Sequence, residues 1–203
     1  MVWRMLGRTK LTAVSDTVDV SFTADTHLKV IAHIIGTGNE EPQWRLGYNT
    51  IDTTSGNYTS ARQNDGTEAT FTSNQTMSKS NATGGLRNTI KYLDIINVAG
   101  KEKLVSEDDA SSEATGNTAT TCREGEYNWK WINTSNQANR IQLLNNASGD
   151  FAVGTEVCVF GTEVASTASA ATNPLIPNGA IFEESDTGKH YMFDGTDTWN
   201  EMT

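Results

Sequence analysis

The chain has 203 residues, of which 20% are charged, and a formal net charge of −10. An acidic surface repels phosphate, and no basic run or stripe supplies the dense Lys/Arg footprint that nucleic-acid binding needs, so nucleic acid is not an expected partner. With 17 Gly, only 3 Pro and abundant Thr, Asn and Ser, the composition suits many short strands joined by turns and suits long helices badly; the length allows one good-sized β domain plus a small appendage.

From the N-terminus, Met1 to Arg8 breaks off into polar residues before any signal-peptide apolar stretch could form. No later run is long enough to span a bilayer, so neither a membrane span nor ordinary secretory export is expected. Val18 to Phe22 alternates strictly and predicts a half-buried strand. The β-branched run Leu28 to Ile35 predicts a central strand covered on both faces. Gln43 to Tyr48 places Trp44, Leu46 and Tyr48 on one face, Asn57 to Ala61 follows a Gly56 turn, and Thr67 to Ser73 is a short run centred on Phe71. Residues 74–88 are almost wholly small and polar and predict a loop. Asn88 to Val98 predicts a strand in the middle of a sandwich.

Ser106 to Thr121 carries no aromatic residue and reads as an exposed, mobile insertion. Tyr127-Asn128-Trp129-Lys130-Trp131 then restores the alternation, Ile141 to Leu144 continues it, and Thr155 to Gly161 closes the domain. These runs predict eight to ten strands. Cys158 lies inside the last of them and reads as a small buried hydrophobe; pairing with Cys122 is the alternative.

Ser166 to Pro174 has no large apolar side chain and predicts a linker, with an ordinary surface loop as the alternative. The remainder, Gly179 to Thr203, reads as a miniature three-stranded sheet with turns at Ser185 to Gly188 and Asp194-Gly195. So small a sheet is marginal alone and should rest on another surface. The expected organisation is therefore a β-sandwich over 1–165, a linker over 166–177 and a C-terminal β module over 178–203.

Two patterns carry a resemblance. Ser148-Gly149-Asp150-Phe151, running on through Gly154-Thr155 to Gly161, resembles the closing strand of β-sandwich structural proteins of tailed phages and related prokaryotic viruses. Trp44-Arg45-Leu46-Gly47-Tyr48-Asn49 with Asn57-Tyr58 is similar to a second element of those proteins. The tail, with Tyr191, Asp194, Gly195 and Trp199 in the order Tyr-x-x-Asp-Gly-x-x-x-Trp, is similar to short terminal modules of phage virion proteins. The resemblance implies a capsid decoration protein, head fibre or tail-associated protein, located in the virion after assembly in the host cytoplasm. It supplies no catalytic residue.

Candidate chemistry is sparse. His27, His33 and His190 read as belonging to separate strands without a metal-ligand spacing. Glu107-Asp108-Asp109 and the Asp194 to Asp197 turn lack the ligand rhythm of a calcium loop, and a solvated charge run and a hairpin turn explain them better. Gly36-Thr37-Gly38 lacks the third glycine and the helix of a phosphate loop, and no nucleophile elbow occurs. Asn-x-Ser/Thr sequons at Asn57, Asn74, Asn81, Asn133 and Asn146 come cheaply in such a composition. Neither a cofactor nor a catalytic or metal site is expected.

Aromatic residues remain. Tyr127, Trp129 and Trp131 share one face, either the inner face of the sandwich, which is preferred, or a platform for sugar rings. Phe182, Tyr191, Phe193 and Trp199 are the expected partner contacts of the terminal module. The resulting expectation is all-β: an antiparallel jelly-roll-like sandwich followed by a small β-meander. It would be a non-enzymatic virion protein whose partners are other copies of itself, a trimer by analogy, and other virion proteins. The alternative is a carbohydrate-binding module or adhesin that meets a host glycan.

Overall fold

The architecture comes from a computed structural model that describes residues 3–38, 40–64, 67–74, 76, 87–113, 123–162, 179–184, 188–194 and 198–202. The chain divides into two compact units, Met1–Glu163 and Val164–Thr203. The expected linker, most of the 74–88 loop and the end of the Ser106 to Thr121 segment lie outside the described residues.

In the first unit the strands are β1 (Trp3–Lys10), β2 (Thr17–Ser21), β3 (His27–Ile35), β4 (Pro42–Tyr48), β5 (Thr50–Ile51), β6 (Tyr58–Asn64), β7 (Thr67–Asn74), β8 (Arg87–Ile96), β9 (Lys103–Glu113), β10 (Arg123–Trp131), β11 (Arg140–Asn145) and β12 (Glu156–Thr162). Eight of them form one sheet in the order β1-β12-β3-β8-β9-β10-β6-β7, and four form a second in the order β2-β11-β4-β5. Every pairing is antiparallel. The expected all-β antiparallel sandwich is what the chain forms, with sheets of unequal width.

One core joins the two sheets. Val18, Val20, Trp44, Leu46, Ile141 and Leu143 from the small sheet pack with Leu28, Val30, Ile34, Leu93, Ile95, Val157 and Val159 from the large one. Burying each such side chain is worth about 1.5–3 kcal/mol. Buried polar groups are matched across the layers. The Tyr58 hydroxyl accepts from the Leu46 N–H at 3.1 Å and donates to the Leu46 carbonyl at 2.8 Å. The buried Asn97 side chain donates to the carbonyls of Asp25 and Ala138 and accepts the Ala138 N–H.

Two expectations are corrected. β3 is central in its sheet but covered on one face only: Leu28, Val30, Ala32 and Ile34 are buried while Ile31 and His33 face outward. The second layer lies on just one side of the large sheet, as antiparallel sheets allow. The polar stretch after Ser106 is not an insertion over its described part, because it belongs to β9, paired along its length with β8 and β10 and burying Glu107 and Ser111. On the outer face of this region Asp108 stands opposite Glu126, and Glu124 and Glu68 are exposed as well.

The second unit contains β13 (Ile181–Glu184), β14 (Lys189–Phe193) and β15 (Trp199–Met202), a three-stranded antiparallel meander. Phe182, Tyr191, Phe193 and Trp199 share one face by register, and Ile181, Met192 and Met202 share the other.

Candidate functional site

Alternation on β10 sends Tyr127, Trp129 and Trp131 inward, where they are 1%, 3% and 1% exposed. They are core residues, so the alternative of a sugar platform on this row is corrected: a ligand cannot reach them. The two indoles instead anchor polar partners, while the Tyr127 hydroxyl has no hydrogen-bond partner among the described residues. Trp131 Nε1 donates to Asp52 Oδ2 at 2.7 Å, and Lys103 Nζ lies 5.9 Å from the Trp131 ring centre while donating to the Asn133 carbonyl at 2.9 Å. Burial raises the Asp52 carboxyl, yet the donors from Trp131, Thr54 and Asn57 outweigh it, leaving Asp52 below its ordinary value. The Tyr127 ring lies over Gly125, where an added Cβ would come within 2.6 Å of the phenol oxygen.

Next to these rings is a buried ionic cluster. Lys91 on β8 is paired in register with Asp109 on β9, and its Nζ sits 2.8 Å from Asp109 Oδ2 and 2.7 Å from Glu107 Oε1. Glu107 also accepts from both layers, from Trp44 Nε1 at 3.2 Å and from Trp129 Nε1 at 3.0 Å. Burial works against the Lys91 charge, and Asp109 and Glu107 more than reverse this, so the ammonium is held above the ordinary lysine value. Burial likewise raises the Tyr127 phenol. One parity of β9 reads Lys103, Val105, Glu107, Asp109, Ser111, but only the pairing of β8 with β9 sets Lys91 opposite it.

On the opposite, outer face of the large sheet runs an open trough of about 870 Å³. It follows two neighbouring cross-strand rows, Lys29-Asp94-Ser106-Asn128-Ala61-Thr70 and His27-Ile96-Leu104-Lys130-Thr59, with Trp3 of β1 also lining it. Small side chains at Ser106, Ala61 and Thr59 leave the space, and exposed Ile96 and Leu104 make part of it apolar. Charges are held in place by pairing: Lys29 Nζ is 2.8 Å from Asp94 Oδ1 and 5.2 Å from the Trp3 ring centre, and Lys130 Nζ is 2.9 Å from Glu102 Oε2. Apolar surface beside fixed polar groups is the chemistry that grips an elongated amphipathic ligand.

In the second unit the expected contact residues are brought together. Phe182 lies 6.4 Å from Tyr191 and 6.0 Å from Trp199, and Trp199 lies 5.2 Å from Phe193, centre to centre. Phe193 is buried, whereas Phe182 and Trp199 are 53% and 38% exposed; on the other face Ile181 is 63% exposed.

His27 and His33 share β3 rather than lying in separate strands, and His190 is on β14. Among the described residues no group of three or more His, Cys, Asp or Glu is placed to hold a metal ion, and no helix is long and apolar enough to cross a membrane. Cys158 is a partly buried free thiol, raised by burial and by its contact with Glu156; Cys122 lies outside the described residues. Of the acidic Asp194 to Asp197 turn only Asp194 is described, and its Oδ1 accepts the Thr198 N–H. Comparison with protein-family models, curated proteins and solved structures found no match to this chain.

Proposed function

We propose that this chain is a non-enzymatic structural protein of a prokaryotic-virus particle, a capsid decoration, head-fibre or tail-associated component that assembles with copies of itself through its C-terminal module. The observation that carries the reading is the three-stranded module's apolar surface on both faces: Phe182 and Trp199 on one, Ile181, Met192 and Met202 on the other, all exposed. A sheet this small gains little stability from its own contacts and gains most by laying such a face on a partner. The resemblance of the tail and of the Ser148 to Gly161 segment to phage virion proteins supports the viral setting, and a trimer is the unit taken by analogy. The test is sedimentation of the full chain beside a chain ending before Asn178. An oligomer that dissociates on truncation supports the proposal; a monomer in both cases refutes it.

A second reading, a glycan-binding module or adhesin, is favoured by the trough. Its apolar residues Ile96 and Leu104 and its flanking Asn128, Asp94 and Lys130 would match the apolar face and hydroxyl rim of a sugar chain. Binding to a glycan panel that disappears in Asn128→Ala and Leu104→Arg variants with unchanged folding would establish it, and no binding by the wild type would remove it.

A further inference from the structure

Lys91 and Glu107 are fully buried and meet the nearly buried Asp109 side chain with the geometry of a reaction rather than only of an ion pair. We propose that Lys91 and Asp109 become joined by an intramolecular isopeptide bond, formed by the protein itself with Glu107 as general base.

Position is the first argument. The Lys91 amine lies 2.8 Å from an oxygen of the Asp109 carboxyl, and the carboxyl carbon is one bond beyond it. Holding two reacting groups at about 3–3.5 Å is worth effective concentrations of roughly 10⁵–10⁸ M. Register fixes the pair as well, because Lys91 and Asp109 are direct cross-strand partners on β8 and β9.

Charge is the second. Amide formation replaces the buried Lys91 ammonium and the Asp109 carboxylate that faces it by a neutral amide, which removes the desolvation cost of both charges. Both oxygens of Glu107 already accept hydrogen bonds, one of them from Trp129 and the other from Lys91 and Trp44. Asp109 accepts from Lys91 alone among the described residues. Asp109 is therefore the carboxyl with an oxygen free to leave, which makes it the electrophile and leaves Glu107 as the base.

The chemistry closes without a co-reactant. Glu107 takes one proton from the Lys91 ammonium and passes it to the Asp109 carboxyl, and the free amine attacks Cγ of Asp109. The new N–C bond forms, one C–O bond breaks, and the oxygen leaves as water with that proton and a second one from the nitrogen, also relayed by Glu107. Glu107 ends in the form in which it began, and nothing is oxidised or reduced. The carboxylates favour the ammonium form of Lys91, so the reactive amine is the minor species. A reaction that runs once per molecule tolerates that, and the buried site keeps water from reversing it.

Denaturing intact-mass spectrometry of the purified full chain, followed by proteolytic mapping, decides the matter. The expected wild-type mass is one water below that of the sequence. A branched peptide should join the Lys91 and Asp109 segments, and tryptic cleavage after Lys91 should be lost. Asp109→Ala should carry its full mass, and so should Glu107→Gln. A folded wild type that keeps its full sequence mass after prolonged incubation overturns the proposal. A water loss that persists in Asp109→Ala, or whose branch maps elsewhere, overturns it equally, and a Glu107→Gln chain that still loses water removes Glu107 as the base.

Discussion

Trp44 of the small sheet and Glu107 of the large sheet touch across the core, the indole N–H of the first donating to a carboxylate oxygen of the second at 3.2 Å. The contact ties the layers together through a group that an apolar core would have excluded. Replacing Trp44 by Phe keeps most of the ring and deletes the donor. The expected loss is about 1–3 kcal/mol, the cost of leaving a buried acceptor underserved, to be read as a lower midpoint in urea denaturation with an unchanged slope.

Lys91 supplies the counter-charge for two buried carboxylates. Measured against wild-type chain that has not lost water, Lys91→Met on its own should cost about 3–5 kcal/mol, because it removes the ammonium that faces both of them, whereas the triple variant Lys91→Met, Glu107→Leu, Asp109→Leu should be neutral or stabilising by about 1–4 kcal/mol. Equilibrium denaturation of the single and triple variants separates these outcomes, and a single variant as stable as the wild type would show that the cluster is dispensable.

Asp52 gives the sandwich an acid-sensitive point. Its carboxyl is held low by the donors of Trp131, Thr54 and Asn57 despite burial. A depressed folded value means the stabilisation is complete above the unfolded value of about 4 and is lost as pH falls through the folded one. The melting temperature of the wild type should therefore drop more steeply on acidification than that of Asp52→Asn, which keeps an acceptor for Trp131 but cannot titrate. Parallel acid slopes would discount the role of Asp52.

The aromatic face of the terminal module should govern assembly more than folding of the sandwich. Trp199→Ala and Phe182→Ser should weaken self-association at least tenfold while leaving the main unfolding transition in place, measured by analytical ultracentrifugation and thermal denaturation. Unaltered association would move the interface elsewhere.

The sequence announces the strands that alternate large apolar and polar residues. Val18 to Phe22, Trp44 to Tyr48, Tyr127 to Trp131 and the terminal meander are all legible because one parity of each is plainly hydrophobic. β9 is not. Its inward row contains Lys103, Glu107, Asp109 and Ser111, and nothing in a linear pattern says that a lysine on the neighbouring strand neutralises those acids. β1 escapes notice for a related reason, since Arg4, Arg8 and Lys10 lie at an edge where polar residues are tolerated. The same blindness conceals the trough. Its space comes from small residues on strands far apart in the chain, brought side by side only by the pairing of β8, β9, β10 and β6.

Asp108 and Glu126 stand opposed on the outside of the large sheet, with Glu124 on β10 and Glu68 on β7 exposed as well. Like charges directly across a strand pair push apart, and the surrounding electrolyte relieves the strain, since the Debye length shrinks from roughly 10 Å at 0.1 M salt to 3 Å at 1 M. Repulsion across this pair should thus ease in brine, where exposed ion pairs such as Lys29–Asp94 weaken, and it is greatest at low ionic strength.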